Sequence, residues 1–200
     1  MTLQQDGQRW SLDGRGEMIP IVSFVGKSNT GKTTFLEMVV RDLKTKGYRV
    51  ACIKHTHHDF DIDQPGKDTW RLAQAGSDVV AISSPNKLAI IRRPESEPTL
   101  AHLAMLFWGE VDIVLGEGYK SENNPKILVV NTEPDREQFY NEENLLGTVF
   151  VFPSSAGKPQ FAEADVDRIV DLLISQIEKQ ALHESGFREM AVRGSSSSIS

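Results

Sequence analysis

The run GKSNTGKT at residues 26–33 constrains this chain more than any other feature. It satisfies G-x-x-x-x-G-K-[ST], with an apolar β-branched run before it and a helix pattern after it. PIVSFV reads as a buried strand. TTFLEMVVRDLKTK carries Phe35, Leu36, Val39, Val40 and Leu43 at helical spacing, and Gly47 stops it, so the predicted helix covers residues 33–46. A ligand-free strand-to-helix connection would explain the glycines but not two glycines and a lysine in register. Gly26 and Gly31 let the backbone curl so that its N–H groups and the helix N-terminus face an anion. The predicted nucleotide contacts are Gly26, Lys27, Ser28, Asn29, Thr30, Gly31, Lys32, Thr33 and Thr34. Lys32 neutralises the β and γ phosphates. Thr33 offers a hydroxyl to Mg²⁺, an ion that keeps most of its waters.

Further β-branched runs follow at YRVACIK, DVVAISS, LAIIRR, DIVLGEG, KILVVN and TVFVFP, and all read as buried strands. Helices are expected near residues 69–75 and 99–107. Another begins near Asp165, with Val166, Ile169, Val170, Leu173, Ile174 and Ile177 on one face. Pro85 and Asn86 between DVVAISS and LAIIRR predict a hairpin. The expected fold is α/β: a phosphate-loop NTPase three-layer sandwich, mainly parallel in its sheet, with helices on both faces and one β-hairpin. Residues 18–183 form that domain, 1–17 a disordered leader and 184–200 a flexible tail.

Composition narrows the partners. With 200 residues, 39% hydrophobic and 25% charged, the chain can bury a core without disulfides, and its apolar runs are too short to cross a bilayer. The N-terminus lacks the basic start and apolar stretch of a secretory signal, so the expected location is the cytoplasm. A net charge of −6 argues against a general nucleic-acid surface. The single cysteine, Cys52, reads as a small buried hydrophobe in a reducing compartment.

A second carboxylate should sit at a strand end beside the loop. DIVLGEG supplies Glu117 there, whereas Asp112 opens the same strand from its far end and reads as a solvated edge residue. The loop KHTHHDFDIDQPGKD holds His55, His57, His58, Asp59, Asp61, Asp63 and Asp68. A calcium loop is excluded, because Gln64 stands where glycine is needed and Trp70 where glutamate is. A zinc or nickel site built from the histidines, a solvated polar loop and a switch-like loop remain. The last is preferred, because the loop follows the strand after the phosphate-loop helix. Asp59, Asp61 or Asp63 would then orient metal-bound water, His55 and His57 would touch phosphate or a partner, and Arg71 would approach the phosphates.

GKSNTGKTTFLEMV, IKHTHHDFDIDQPGKDTWRLAQAGSD and DIVLGEGYK, in this order and spacing, resemble the molybdopterin-guanine dinucleotide biosynthesis protein B family over residues 19–180. The resemblance implies a dimeric GTP-binding adapter with feeble GTPase activity. Such an adapter assists a molybdenum cofactor guanylyltransferase in joining GMP to the molybdopterin cofactor. It also implies GTP and Mg²⁺ as cofactors, Gly31, Lys32 and Thr33 as phosphate and magnesium contacts, and Glu117 as the acidic strand end. The guanine-reading N-K-x-D is absent, since NKLA at Asn86 lacks the acid. Asn131, Thr132, Asp135, Ser154, Ser155 and Ala156 are alternative base readers. Two competing readings share the loop. A small-molecule kinase would use Arg92 and Arg93 as its lid. A partition-type ATPase, for which Lys27 would be the signature lysine, should have paired glycines where Ser28 and Asn29 stand.

Overall fold

The computed structural model describes residues 4–6, 9–11, 19–131, 144–152 and 159–195. Strands β1 (Gln4–Asp6) and β2 (Arg9–Ser11) pair antiparallel within the segment expected to be a disordered leader. The remaining strands are β3 (Ile21–Val25), β4 (Val50–Lys54), β5 (Val79–Ser84), β6 (Lys87–Arg92), β7 (Ile113–Glu117), β8 (Lys126–Val130) and β9 (Leu145–Phe150). The helices are α1 (Lys32–Thr45), α2 (Asp68–Gln74), α3 (Leu100–Ala104) with a 3₁₀ turn at Met105–Phe107, and α4 (Glu163–Ser195). The backbone of α4 continues past residue 183, where the flexible tail was expected to begin. The chain divides into two compact units, one formed by Met1–His55 with Thr99–Ser200 and the other by Thr56–Pro98.

The first unit is built on a parallel five-stranded sheet in the order β4-β7-β3-β8-β9, so the strand that feeds the glycine loop is central. Alternation along the strands serves both faces. Val22, Phe24, Ile113, Leu115, Ile127 and Val129 meet Phe35, Leu36, Val39 and Leu43 of α1 and Ile169, Val170 and Leu173 of α4. On the opposite face Val114 and Ala51 meet Leu100 and Ala104 of α3. Each fully buried large side chain contributes about 1.5–3 kcal/mol of transfer free energy. The Phe35 ring lies 4.9 Å from that of Phe161, which ties the first turn of α1 to the segment leading into α4. Thr99 starts α3 by accepting the His102 backbone N–H at 3.2 Å. The expected mainly parallel sheet, with helices on both faces, is therefore present.

The second unit holds the His/Asp loop, α2 and the expected hairpin of β5 and β6, joined through Pro85 and Asn86. These two strands were expected to be buried, and they are not. Val80 is covered, but cross-strand register gathers Val79, Ala81, Leu88 and Ile90 on one face, where Leu88 is 63% and Ile90 61% exposed. A β-branched run signals a strand without saying what covers it.

Two further expectations change. Asp112 is no mere solvated residue: it accepts the Arg49 guanidinium at 2.7 Å and the Arg49 backbone N–H at 2.7 Å, joining the starts of β4 and β7. Cys52 is exposed, because β4 is an edge strand among the described residues. Cys52 borders the hollow that residues of α1 also line. Partial burial first, and the Glu117 charge second, push its pKa up, which keeps it an unreactive thiol.

Candidate functional site

Backbone geometry explains both glycines of the loop. Gly26 has φ +150°, and a Cβ there would stand 2.2 Å from the Val129 carbonyl oxygen of β8. Gly31 has φ +83°, and its Cβ would meet Pro159 at 2.7 Å. Between them Asn29 takes φ 62°, and the buried Thr30 donates its hydroxyl to the Lys27 carbonyl at 3.0 Å. Lys27, Ser28, Asn29, Thr33 and Thr34 are exposed. The N-terminus of α1 has no side-chain cap and no acidic residue in its first turn, so its N–H groups and positive dipole end are left for an anion.

Lys32 folds back over the loop, its ammonium donating to the carbonyls of Lys27 at 2.6 Å and Gly26 at 3.4 Å. Burial is the first cause that lowers its pKa. Glu117 opposes that shift, while Lys120 and Lys54 add to it. Thr33 donates its hydroxyl to Glu117 at 2.9 Å from each carboxylate oxygen. Parallel register makes this meeting possible: Glu117 pairs with Phe24 of β3 on one side and with Lys54 of β4 on the other. Lys54 Nζ lies 3.5 Å from Glu117 Oε1. Thr33, Glu117 and Lys54 open onto a hollow of about 420 Å³ floored by Leu36, Val40, Cys52 and Ile53.

The structure thus brings together Gly26, Gly31, Lys32, Thr33 and Glu117. Lys54 stood unassigned inside the motif IKHTHHDFD, although its place at a strand's carboxyl end was a usable signal. The His55 ring packs against that of Tyr119 at a tilt of 47° with centroids 5.0 Å apart, and a Cβ added at Gly118 would stand 3.0 Å from the His55 Cβ. Within the second unit Asp59 and Asp61 are exposed. Asp63 instead accepts the Gln64 N–H at 2.8 Å and the Thr69 hydroxyl at 3.1 Å, and Arg71 pairs with Asp68 at 3.7 Å. Among the described residues no three His, Cys, Asp or Glu side chains gather as a metal site, so nothing there supports the zinc or nickel reading. Nor is any described helix long and apolar enough to cross a membrane. Asn131 is exposed at the end of β8, while Thr132, Asp135, Ser154, Ser155 and Ala156 lie outside the described residues.

A central parallel strand, a glycine turn, an uncapped helix and an acid on the adjacent strand end define an α/β protein of the phosphate-loop NTPase fold. Residues 21–151 match the family profile described as molybdopterin guanine dinucleotide synthesis protein B, and the chain belongs to that family. It is 33% identical over 156 residues to the molybdopterin-guanine dinucleotide biosynthesis adapter protein of Haemophilus influenzae, covering 78% of this chain and 88% of that one. With the Escherichia coli protein of the same description it shares 31% over 168 residues, covering 82% and 96%. The crystal structure of Bacillus subtilis MobB superposes with a TM-score of 0.61 at 30% identity, over 79% of this chain and 98% of that one.

Proposed function

We propose that this protein is a GTP-binding adapter that assists a guanylyltransferase in molybdopterin guanine dinucleotide biosynthesis. The observation that carries the nucleotide part is the meeting of Thr33 with Glu117 beside an uncapped α1. The relatives' described role supplies the pathway. The residues fit a magnesium nucleotide. The loop N–H groups and Lys32 would hold the phosphates, with Thr33 and Glu117 next to the metal, which when bound neutralises phosphate charge.

The exposed apolar face of the hairpin supports the homodimer, since a face of this kind needs cover. Ile90→Lys should shift sedimentation from dimer to monomer. The discriminating experiment is a competition of GTP against ATP, followed by capture of the guanylyltransferase. GTP is expected to bind at least about tenfold tighter, a difference of about 1.4 kcal/mol. Equal affinities overturn the guanine assignment. One observation favours a second reading, a small-molecule kinase: the hollow of about 420 Å³ beside Thr33 and Glu117 has room for an acceptor. Nucleoside diphosphate formation that depends on an added acceptor and leaves the phosphoryl group on that acceptor would point that way.

A further inference from the structure

Glu117 is held from two sides by groups that cannot both stay once a metal arrives. The Thr33 hydroxyl spans its two oxygens at 2.9 Å, and Lys54 Nζ stands 3.5 Å from Oε1. Lys54 is placed there by the sheet. It is the register partner of Glu117 across the β4–β7 ladder, and paired positions of neighbouring strands project from the same face. The carboxylate is nearly covered, at 12% exposed, whereas the lysine side chain is 66% exposed and borders the hollow. A divalent cation beside Thr33 and Glu117 would compete with the ammonium for the same oxygens and repel it. The flexible four-carbon stem gives Lys54 somewhere to go.

We propose that Lys54 distinguishes a nucleoside triphosphate from a diphosphate: it pairs with Glu117 in the empty site and with the terminal phosphate when Mg²⁺ is seated. This rests on the magnesium-nucleotide reading above. The alternative is a structural role, in which Lys54 only steadies Glu117 and serves di- and triphosphates alike.

The test is a set of affinities of the full chain for GTP, GDP, ATP and ADP at saturating Mg²⁺, for the unaltered protein, Lys54→Met, Lys54→Gln and Lys54→Arg. Both neutral variants should lose about tenfold for the triphosphate and stay within about twofold for the diphosphate, a selectivity change of roughly 1 kcal/mol, and Lys54→Arg should keep the triphosphate preference. Ligand-free melting temperatures should be unchanged, because the side chain is mostly in water. Should one neutral variant misfold, the other carries the comparison. Equal losses for di- and triphosphates, or none, overturn the proposal while leaving nucleotide binding intact. Failure of the unaltered protein to bind any of the four overturns the nucleotide reading and this proposal together.

Discussion

Thr33 and Glu117 stand 84 residues apart in sequence, yet the hydroxyl of one lies 2.9 Å from both carboxylate oxygens of the other. The first turn of α1 supplies the hydroxyl, and the last residue of β7 supplies the acid. In the nucleotide reading both turn toward the metal, so they should fail alike. Thr33→Ala and Glu117→Gln are each expected to retain GTP binding while losing most of its magnesium dependence, because each removes a metal contact and leaves the phosphate cradle in place. Titrations with and without Mg²⁺ check this. Full magnesium dependence in both variants would refute the metal assignment.

Lys32 is engaged before any ligand arrives, since its ammonium bridges the Lys27 and Gly26 carbonyls. Lys32→Ala therefore removes a loop contact as well as a phosphate contact, and its ligand-free melting temperature should fall slightly. In the unaltered protein, Mg-GTP at about 100 times its dissociation constant should stabilise the fold by roughly 2.7 kcal/mol. That corresponds to a rise of roughly 5 to 11 °C for a domain of this size. In Lys32→Ala the rise should vanish, and an undiminished shift would sink the phosphate-loop reading.

The phosphate loop and all seven strands predicted after the N-terminal segment were legible because their signals are local. Gly26, Gly31 and Lys32 sit within one turn of chain, and a β-branched run announces a strand wherever it ends up. What stayed hidden depends on neighbours far away in sequence. Cys52 reads as buried until the strand order leaves β4 at an edge. Lys54 acquires meaning only when register sets it beside Glu117, and Asp112 only when β7 starts next to Arg49. The apolar hairpin face has no local mark that separates a covered strand from an uncovered one.

Gly26 and Gly47 share a positive φ but differ in surroundings, which makes a paired prediction. At Gly47, φ +91°, an added Cβ meets nothing within 4 Å, so Gly47→Ala should cost only the backbone term, about 1–2 kcal/mol. At Gly26 the Cβ would press on the Val129 carbonyl oxygen at 2.2 Å and force β3 from β8, adding about 1–3 kcal/mol of overpacking strain. Urea midpoints should therefore rank Gly26→Ala well below Gly47→Ala. Equal midpoints would show that the loop yields freely.

The pair of Arg49 with Asp112 lies at the opposite end of the sheet from the phosphate loop, so it tests stability without touching the site. Hydrogen bonding to the Arg49 guanidinium holds the Asp112 carboxyl below its usual range, and burial opposes that shift. A carboxyl whose folded pKa is depressed adds stability above its unfolded pKa of about 3.9, and that stability is lost as pH falls through the lower folded value. Asp112→Asn should thus lower the urea midpoint modestly at neutral pH, because solvent and salt screen a half-exposed pair. The gap between the two proteins should narrow as pH drops below about 4 and close once Asp112 is protonated in the folded state. Added salt at neutral pH should narrow it too. A gap that stayed constant through the acid range would mean that Asp112 acts through its shape and not its charge.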